Sequence, residues 1–109
     1  MGRDWSLHRW SGSGPGYLHV HHQDDEAWHV LSGSLTFRLT EGEKVAGPGT
    51  TVVIPAGTVH DYFETDGPCE YLILLTPRLE ALITELHQTP WADHGAVHAR
   101  HASEVVVQP

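Results

Sequence analysis

Residues 19–33 read HVHHQDDEAWHVLSG, and the spacing inside this run decides how the chain around it must fold. Side chains alternate between faces along a β-strand, so His19 and His21 share one face while Val20 takes the other. Two imidazoles side by side on a pleated face have the spacing to grip one metal ion. After a short turn through His22–Asp25, the carboxylate of Glu26 can join them, and Gly33 closes the run. Taken alone this is half a site. It needs a ligand from elsewhere in the chain.

A second run supplies one. Residues 49–64 read GTTVVIPAGTVHDYFE, where Pro55 and Gly57 predict a tight turn ahead of a strand that His60 opens. Placed beside the first pair, His60 completes three imidazoles and one carboxylate. That donor set suits one divalent transition metal (Fe, Mn, Ni, Cu, Co or Zn), since imidazole matches most of these and carboxylate the harder ones. Four protein donors on an octahedral ion leave two positions for water, dioxygen or a chelating substrate.

Outward from these two runs the chain reads as short strands separated by turn residues, an all-β pattern. The expected strands are Tyr17–His21, Ala27–Leu31, Ser34–Thr40, Lys44–Ala46, Thr51–Ile54, His60–Glu64 and Glu70–Thr76. Leu35, Phe37 and Leu39 alternate with Thr36, Arg38 and Thr40, which marks a strand with one buried face. Alternation from Glu26 sends Trp28 and Val30 inward and His29 outward. From His60 it sends Tyr62 and Glu64 inward, with Asp61 and Phe63 outward. Before the first run, Trp5 and Trp10 sit on a polar segment that reads either as a short strand or as an arm for a neighbouring subunit.

After Thr76 the period changes. Thr76 can cap a helix that begins at Pro77, and Leu79, Leu82, Ile83 and Leu86 form its apolar stripe. Thr89-Pro90 offers a second helix start, running to about Ala102, and Glu104–Gln108 is either a short strand or frayed. On that second helix His94, His98 and His101 share a face. An ordinary solvated face is the expected reading; a second metal or a dimer contact is the alternative. The expected layout is one domain over residues 1–109, with a barrel core of about 14–76 and a helical tail of about 77–103.

Composition narrows the function classes. The 109 residues are 39% hydrophobic and 18% charged, with 11 Gly and 7 Pro, a turn-rich globular profile. A formal charge of −8 argues against nucleic acid or an anionic membrane as partner. Cys69 stands alone, so neither a disulfide framework nor a thiolate zinc site is available, and it reads as a packed or partly exposed thiol and not as a nucleophile. No apolar run is long enough for a signal peptide or a bilayer span, and the expected location is cytoplasmic.

The two runs resemble the paired signature motifs of the cupin superfamily. The first motif, G-x5-H-x-H-x3,4-E-x6-G, is matched by His19, His21, Glu26 and Gly33, with Ser13 at the leading glycine position between Gly12 and Gly14. The second, G-x5-P-x-G-x2-H-x3-N, is matched by Gly49, Pro55, Gly57 and His60, with Glu64 at the closing Asn position. The short segment between the motifs is similar to that of small single-domain bacterial cupins of the type-2 kind. The resemblance covers residues 14–76 and implies a double-stranded β-helix, or jelly-roll, barrel. It implies His19, His21, Glu26 and His60 as ligands of one metal.

Tyr62 and Glu64 are then the candidate catalytic residues, and Trp28 and Tyr62 the candidate substrate-pocket residues. The expected function is a small-molecule metalloenzyme: a dioxygenase of the quercetinase-like kind first, a redox-neutral cyclase, lyase or isomerase second. The alternative is a non-catalytic metal-bearing binding or sensing module. The expected partners are a small-molecule substrate and a second copy of the chain, as a homodimer.

Overall fold

The computed structural model describes residues 4–106. Among these residues nine strands make two facing antiparallel sheets: β1 (Ser6–Ser11), β2 (His19–His21), β3 (Glu26–Ser32), β4 (Leu35–Leu39), β5 (Gly42–Ala46), β6 (Thr51–Ile54), β7 (His60–Glu64), β8 (Glu70–Leu75) and β9 (Ser103–Val105). One sheet runs β1-β8-β3-β6 and the other β5-β4-β7-β2-β9. Trp28 and Val30 of β3, Leu35 and Phe37 of β4, and Tyr71, Ile73 and Leu75 of β8 fill the space between the sheets as the period of two requires. His29 stays partly exposed on the other side of β3. Most expected strands hold to within a residue or two, and β6 and β7 match in full.

Two glycines fix the frame around the first run. Gly33 has φ +76°, and a Cβ there would lie 2.5 Å from the Pro68 carbonyl oxygen. Gly14 passes so close to β7 that a Cβ would meet Asp61 Oδ1 at 2.9 Å. The position before it tolerates Ser13, whose Oγ accepts the Glu64 N–H at 2.9 Å. Gly14 N–H itself donates to the Tyr62 carbonyl at 2.8 Å. This crossing loop corrects one expectation: Asp61 faces away from the core yet is only 2% exposed, because the loop and Arg38 cover it.

The N-terminal segment is a strand. β1 pairs along its whole length with β8, from Ser6↔Leu75 to Ser11↔Glu70, so it covers an edge of its own sheet. The tail also differs from expectation. α1 (Pro77–His87) starts as read, with Thr76 Oγ1 accepting the Leu79 N–H at 3.2 Å. The second helix is shorter, a single 3-10 turn at Trp91–Asp93 followed by α2 (His94–Arg100). β9 then returns to the barrel and pairs with β2, His21 opposite Ser103 and His19 opposite Val105. The tail is thus a structural wall of the barrel, since β2 has only a single residue pair with β7 (His19↔His60) and needs β9 on its other side. Val107 and Gln108 lie outside the described residues. No helix among the described residues is long and apolar enough to cross a membrane.

Candidate metal centre

The three histidines and the glutamate come together at the floor between the sheets. His19, His21, Glu26 and His60 are each 5% exposed or less. Ligand atoms of His19, His21 and His60 all lie within 4.8 Å of one another. Glu26 Oε1 is 3.3 Å from His21 Nε2 and 3.3 Å from His60 Nε2. The turn between them is braced by its own aspartates: Asp24 accepts from Thr76 Oγ1 and Arg78 at the start of α1, and Asp25 accepts the Ala56 N–H. Both carboxylates are thus structural, Asp24 at 3.0 and 3.2 Å from its two donors and Asp25 at 2.8 Å from its one.

The hydrogen bonds on the far side of each ring fix what the floor presents. His19 Nδ1 lies 3.2 Å from the Tyr17 carbonyl and His60 Nδ1 2.9 Å from the Thr58 carbonyl, and a carbonyl can only accept. His21 Nδ1 lies 2.8 Å from Ser103 Oγ, whose own proton goes to the His101 carbonyl at 3.2 Å. All three Nδ1 atoms therefore carry the proton, and each Nε2 is left as a lone pair. Three lone pairs and a carboxylate converge with nothing positive between them. Such a cluster is relieved by extra protons or by one cation, so the donor set fits a divalent metal. Burial, and then His60 and His21, push His19 well below the ordinary imidazole range, which keeps it an unprotonated donor. Burial would raise Glu26, but a second proton taken up by His21 or His60 sits on an Nε2 3.3 Å away and donates to the carboxylate, which outweighs burial and holds the carboxyl at about 2, ionised at neutral pH.

Above this floor opens a cavity of about 720 Å³. Its lining includes His19, His21, Glu26, Tyr62 and Tyr71 below, and residues of β1, α1 and α2 above. Tyr71 donates its hydroxyl proton to the Gly12 carbonyl at 2.9 Å, so Tyr62 donates to Tyr71 across 3.2 Å. Burial, then the neighbouring Tyr71, pushes Tyr62 well above the ordinary phenol value, and burial takes Tyr71 to about 12. Tyr62 therefore meets the cavity as a neutral phenol whose free lone pairs accept hydrogen bonds. It is a poor base.

Two other candidate residues sit away from the cavity. Trp28 is 1% exposed and lies under the floor, edge-on to Phe37 and Tyr62 with ring centroids 5.1 Å away in each case. It packs against the pocket from below, since strand alternation aims it into the core and His60 and Tyr62 stand over it. Glu64, at the far end of β7, accepts the Cys69 N–H at 2.8 Å and braces a loop. Cys69 itself is buried, and burial followed by Glu64 pushes its thiol up, which keeps it unreactive.

The tail supplies residues that the two motifs do not announce. His98 is 1% exposed, which overturns the expectation of a solvated helix face. Its ring stands 5.5 Å from that of His19 and 6.3 Å from that of His21. His94 gives its Nε2 proton to the Thr89 carbonyl, so its Nδ1 accepts from Tyr17, while His98 Nε2 donates to the same Tyr17 oxygen. Burial, then His21 and His94, lowers His98 to about 4. His101 instead faces Glu85, 2.9 Å away. The spacing of His94 and His98 was visible in the sequence; the return of β9, which turns that helix toward the floor, was not.

Two antiparallel sheets closed into a cup, with histidines and a carboxylate gathered at its floor, define a double-stranded β-helix barrel. The chain belongs to the cupins: residues 8–75 match the Cupin domain family, Cupin_2. α1, α2 and β9 lie beyond that match. No curated protein matches the chain in sequence. Among solved structures it is similar to a cupin-2 domain containing protein from Shewanella frigidimarina, at 24% identity and TM-score 0.55 over 66% of this chain and 68% of that one. It is also similar to a sugar phosphate isomerase of the cupin superfamily from Silicibacter pomeroyi, at 27% identity and TM-score 0.58, covering 66% of this chain and half (50%) of that one. A third is Pac13, a nucleoside dehydratase from Streptomyces, at 20% identity and TM-score 0.58 over 71% of this chain and 62% of that one.

Proposed function

We propose that this cupin is a metal-dependent enzyme acting on a small molecule, with His19, His21, Glu26 and His60 holding one divalent transition metal. The observation that carries the reading is the convergence of three imidazole lone pairs and an ionised carboxylate, of which His19, His21 and Glu26 line the cavity and His60 is buried beside them. When bound there, the cation supplies Lewis acidity at its open positions, or a site of oxygen activation if it is iron, copper or manganese. The chain's own residues orient and enclose. Tyr62 offers a hydrogen-bond acceptor beside the floor, and Tyr17 ties α2 down over it through His94 and His98.

Within this class a redox-neutral reaction (isomerase, lyase, dehydratase or cyclase) comes first. It is supported by the hydroxyl and imidazole groups ranged along the cavity and by the likeness to a sugar phosphate isomerase. The test has two parts. Metal titration of the purified protein and of His60→Ala should give one tight site in the first and none in the second; equal binding would overturn the ligand set. Oxygen uptake with iron- or manganese-loaded protein on diketones and flavonols should be nil. Uptake would make the protein a dioxygenase of the quercetinase-like kind, and binding without any turnover would make it a binding or sensing module.

The reading includes a homodimer. Leu7 is 61% and Trp5 39% exposed, both at the β1 edge, an apolar surface suited to a second copy. A monomeric mass in solution at micromolar concentration would overturn it.

A further inference from the structure

We infer that α2 is a lid over the floor of the cavity, clasped by Tyr17 and pivoting at Ala102. Nothing in this lid depends on a bound metal. α2 follows the residues that match the family, and it sits lightly on the barrel. Val97 and His98 are its only buried residues, and the 3-10 turn that leads into it leaves Trp91 68% exposed. His94 and His98 line the cavity. The His98 ring stands over the two floor histidines, 5.5 Å from His19 and 6.3 Å from His21, so movement of α2 uncovers them from the tail side.

What holds the lid shut is polar and sparse. The Tyr17 hydroxyl donates to His94 Nδ1 at 2.9 Å and accepts from His98 Nε2 at 3.0 Å. At the other end of α2, Glu85 of α1 accepts from Arg100 and from His101, an ion pair open to solvent and therefore weak. Two features oppose closure. With its proton given to Tyr17, His98 keeps a buried Nδ1 lone pair that no donor among the described residues reaches. Ala102, just past the helix cap, has φ +54°, the one positive value among the described residues outside glycine. Glycine is usual at that position because a Cβ is strained there. The Ala102 carbonyl accepts the His22 N–H at 2.8 Å, and β9 beyond it pairs with β2. The strained residue thus divides a strand bonded to the barrel from a helix that is only clasped. Swinging α2 outward releases both costs and leaves β9 in place, the condition for two accessible states.

The experiment is amide hydrogen exchange of the metal-free protein, read by mass spectrometry on peptides from α2, β3 and β8. In the parent α2 should exchange at least about tenfold faster than the two strands, through local opening. Tyr17→Phe removes the clasp and should speed α2 roughly tenfold. Ala102→Gly relieves the pivot and should slow α2 about fivefold, with β3 and β8 unchanged in both variants. His94→Ala reads the same clasp from the helix side if Tyr17→Phe alters the circular dichroism spectrum. Labelling of His19 and His21 by diethyl pyrocarbonate should rise and fall with the exchange of α2. Exchange of α2 in step with β3 and β8 would overturn the lid, as would clasp variants without effect or a faster α2 in Ala102→Gly. Labelling that stays constant while α2 exchange changes would overturn its place over the floor. Failure of the protein to take up metal would sink the metal reading alone, since none of these measurements uses one.

Discussion

Replacing Ser103 by alanine tests whether the C-terminal strand orients the metal centre. His21 Nδ1 lies 2.8 Å from Ser103 Oγ, and Ser103 is only 4% exposed, so water does not readily take the place of the lost hydroxyl. The ring then has two courses. It can keep its proton on Nδ1 as a buried donor without an acceptor, which costs about 1–3 kcal/mol of stability. Or it can move the proton to Nε2, where Glu26 Oε1 waits 3.3 Å away, and the proton must be displaced before a cation binds. Removing a partner of this kind lowers metal affinity about 10–100-fold, which is about 1.4–2.8 kcal/mol. The assay is competition for zinc against a chromogenic chelator, with Ser103→Ala and Ser103→Thr beside the parent. Threonine keeps the hydroxyl and should stay close to the parent. An alanine variant that folds normally and binds zinc as tightly as the parent would refute the idea that β9 orients His21.

Glu26→Gln keeps the shape of the floor but removes its carboxylate, and metal affinity should fall by more than in Ser103→Ala, on the order of a hundredfold or more, as the same competition assay reads it. Gly33→Ala places a Cβ 2.5 Å from the Pro68 carbonyl at φ +76°, and chemical denaturation should show a loss of about 1–3 kcal/mol. The metal-free protein should also lose stability in acid. The unfolded chain takes up a proton on His98 near 6.5, whereas the folded protein does so only at about 4, so falling pH favours unfolding through that window. Glu26 extends the trend, since its stabilising ionised form is lost between 4.5 and about 2. Melting temperatures should be level above about pH 7 and drop below about 6.5; a flat profile down to about pH 4.5 would show that His98 protonates freely in the folded state.

The barrel and its floor were legible because both rest on local spacing. Alternation by two places His19 with His21 and Glu26 with Trp28 and Val30, and Gly14 and Gly33 mark the two crossings where a Cβ would meet a neighbour under 3.0 Å away. Asp61 shows where that logic stops: alternation gives the face of a strand and says nothing of the loop that later covers it. His98 shows the same limit at longer range. Its spacing from His94 gives a helix face, but which way that face turns is set by the pairing of Ser103 with His21, a contact across the whole chain. Glu64 sat at a motif position and on the inward alternation, yet the Cys69 N–H beyond the following turn claims its carboxylate. Local pattern predicted the elements; contacts distant in sequence decided the walls of the cavity.

The pairing of β9 with β2 has a consequence for synthesis. The proposed ligands leave the ribosome before the tail, with His60 the last of them, while the strand that steadies His21 follows only after α1 and α2. At about 5–20 residues per second, the nascent chain spends several seconds with all four proposed ligands exposed and His21 still without its partner. A metal ion offered in that interval would meet a half-built site and compete under different rules from one offered to the finished barrel. On the proposed reading, any selectivity of the folded protein among metals would apply only once the tail has come home.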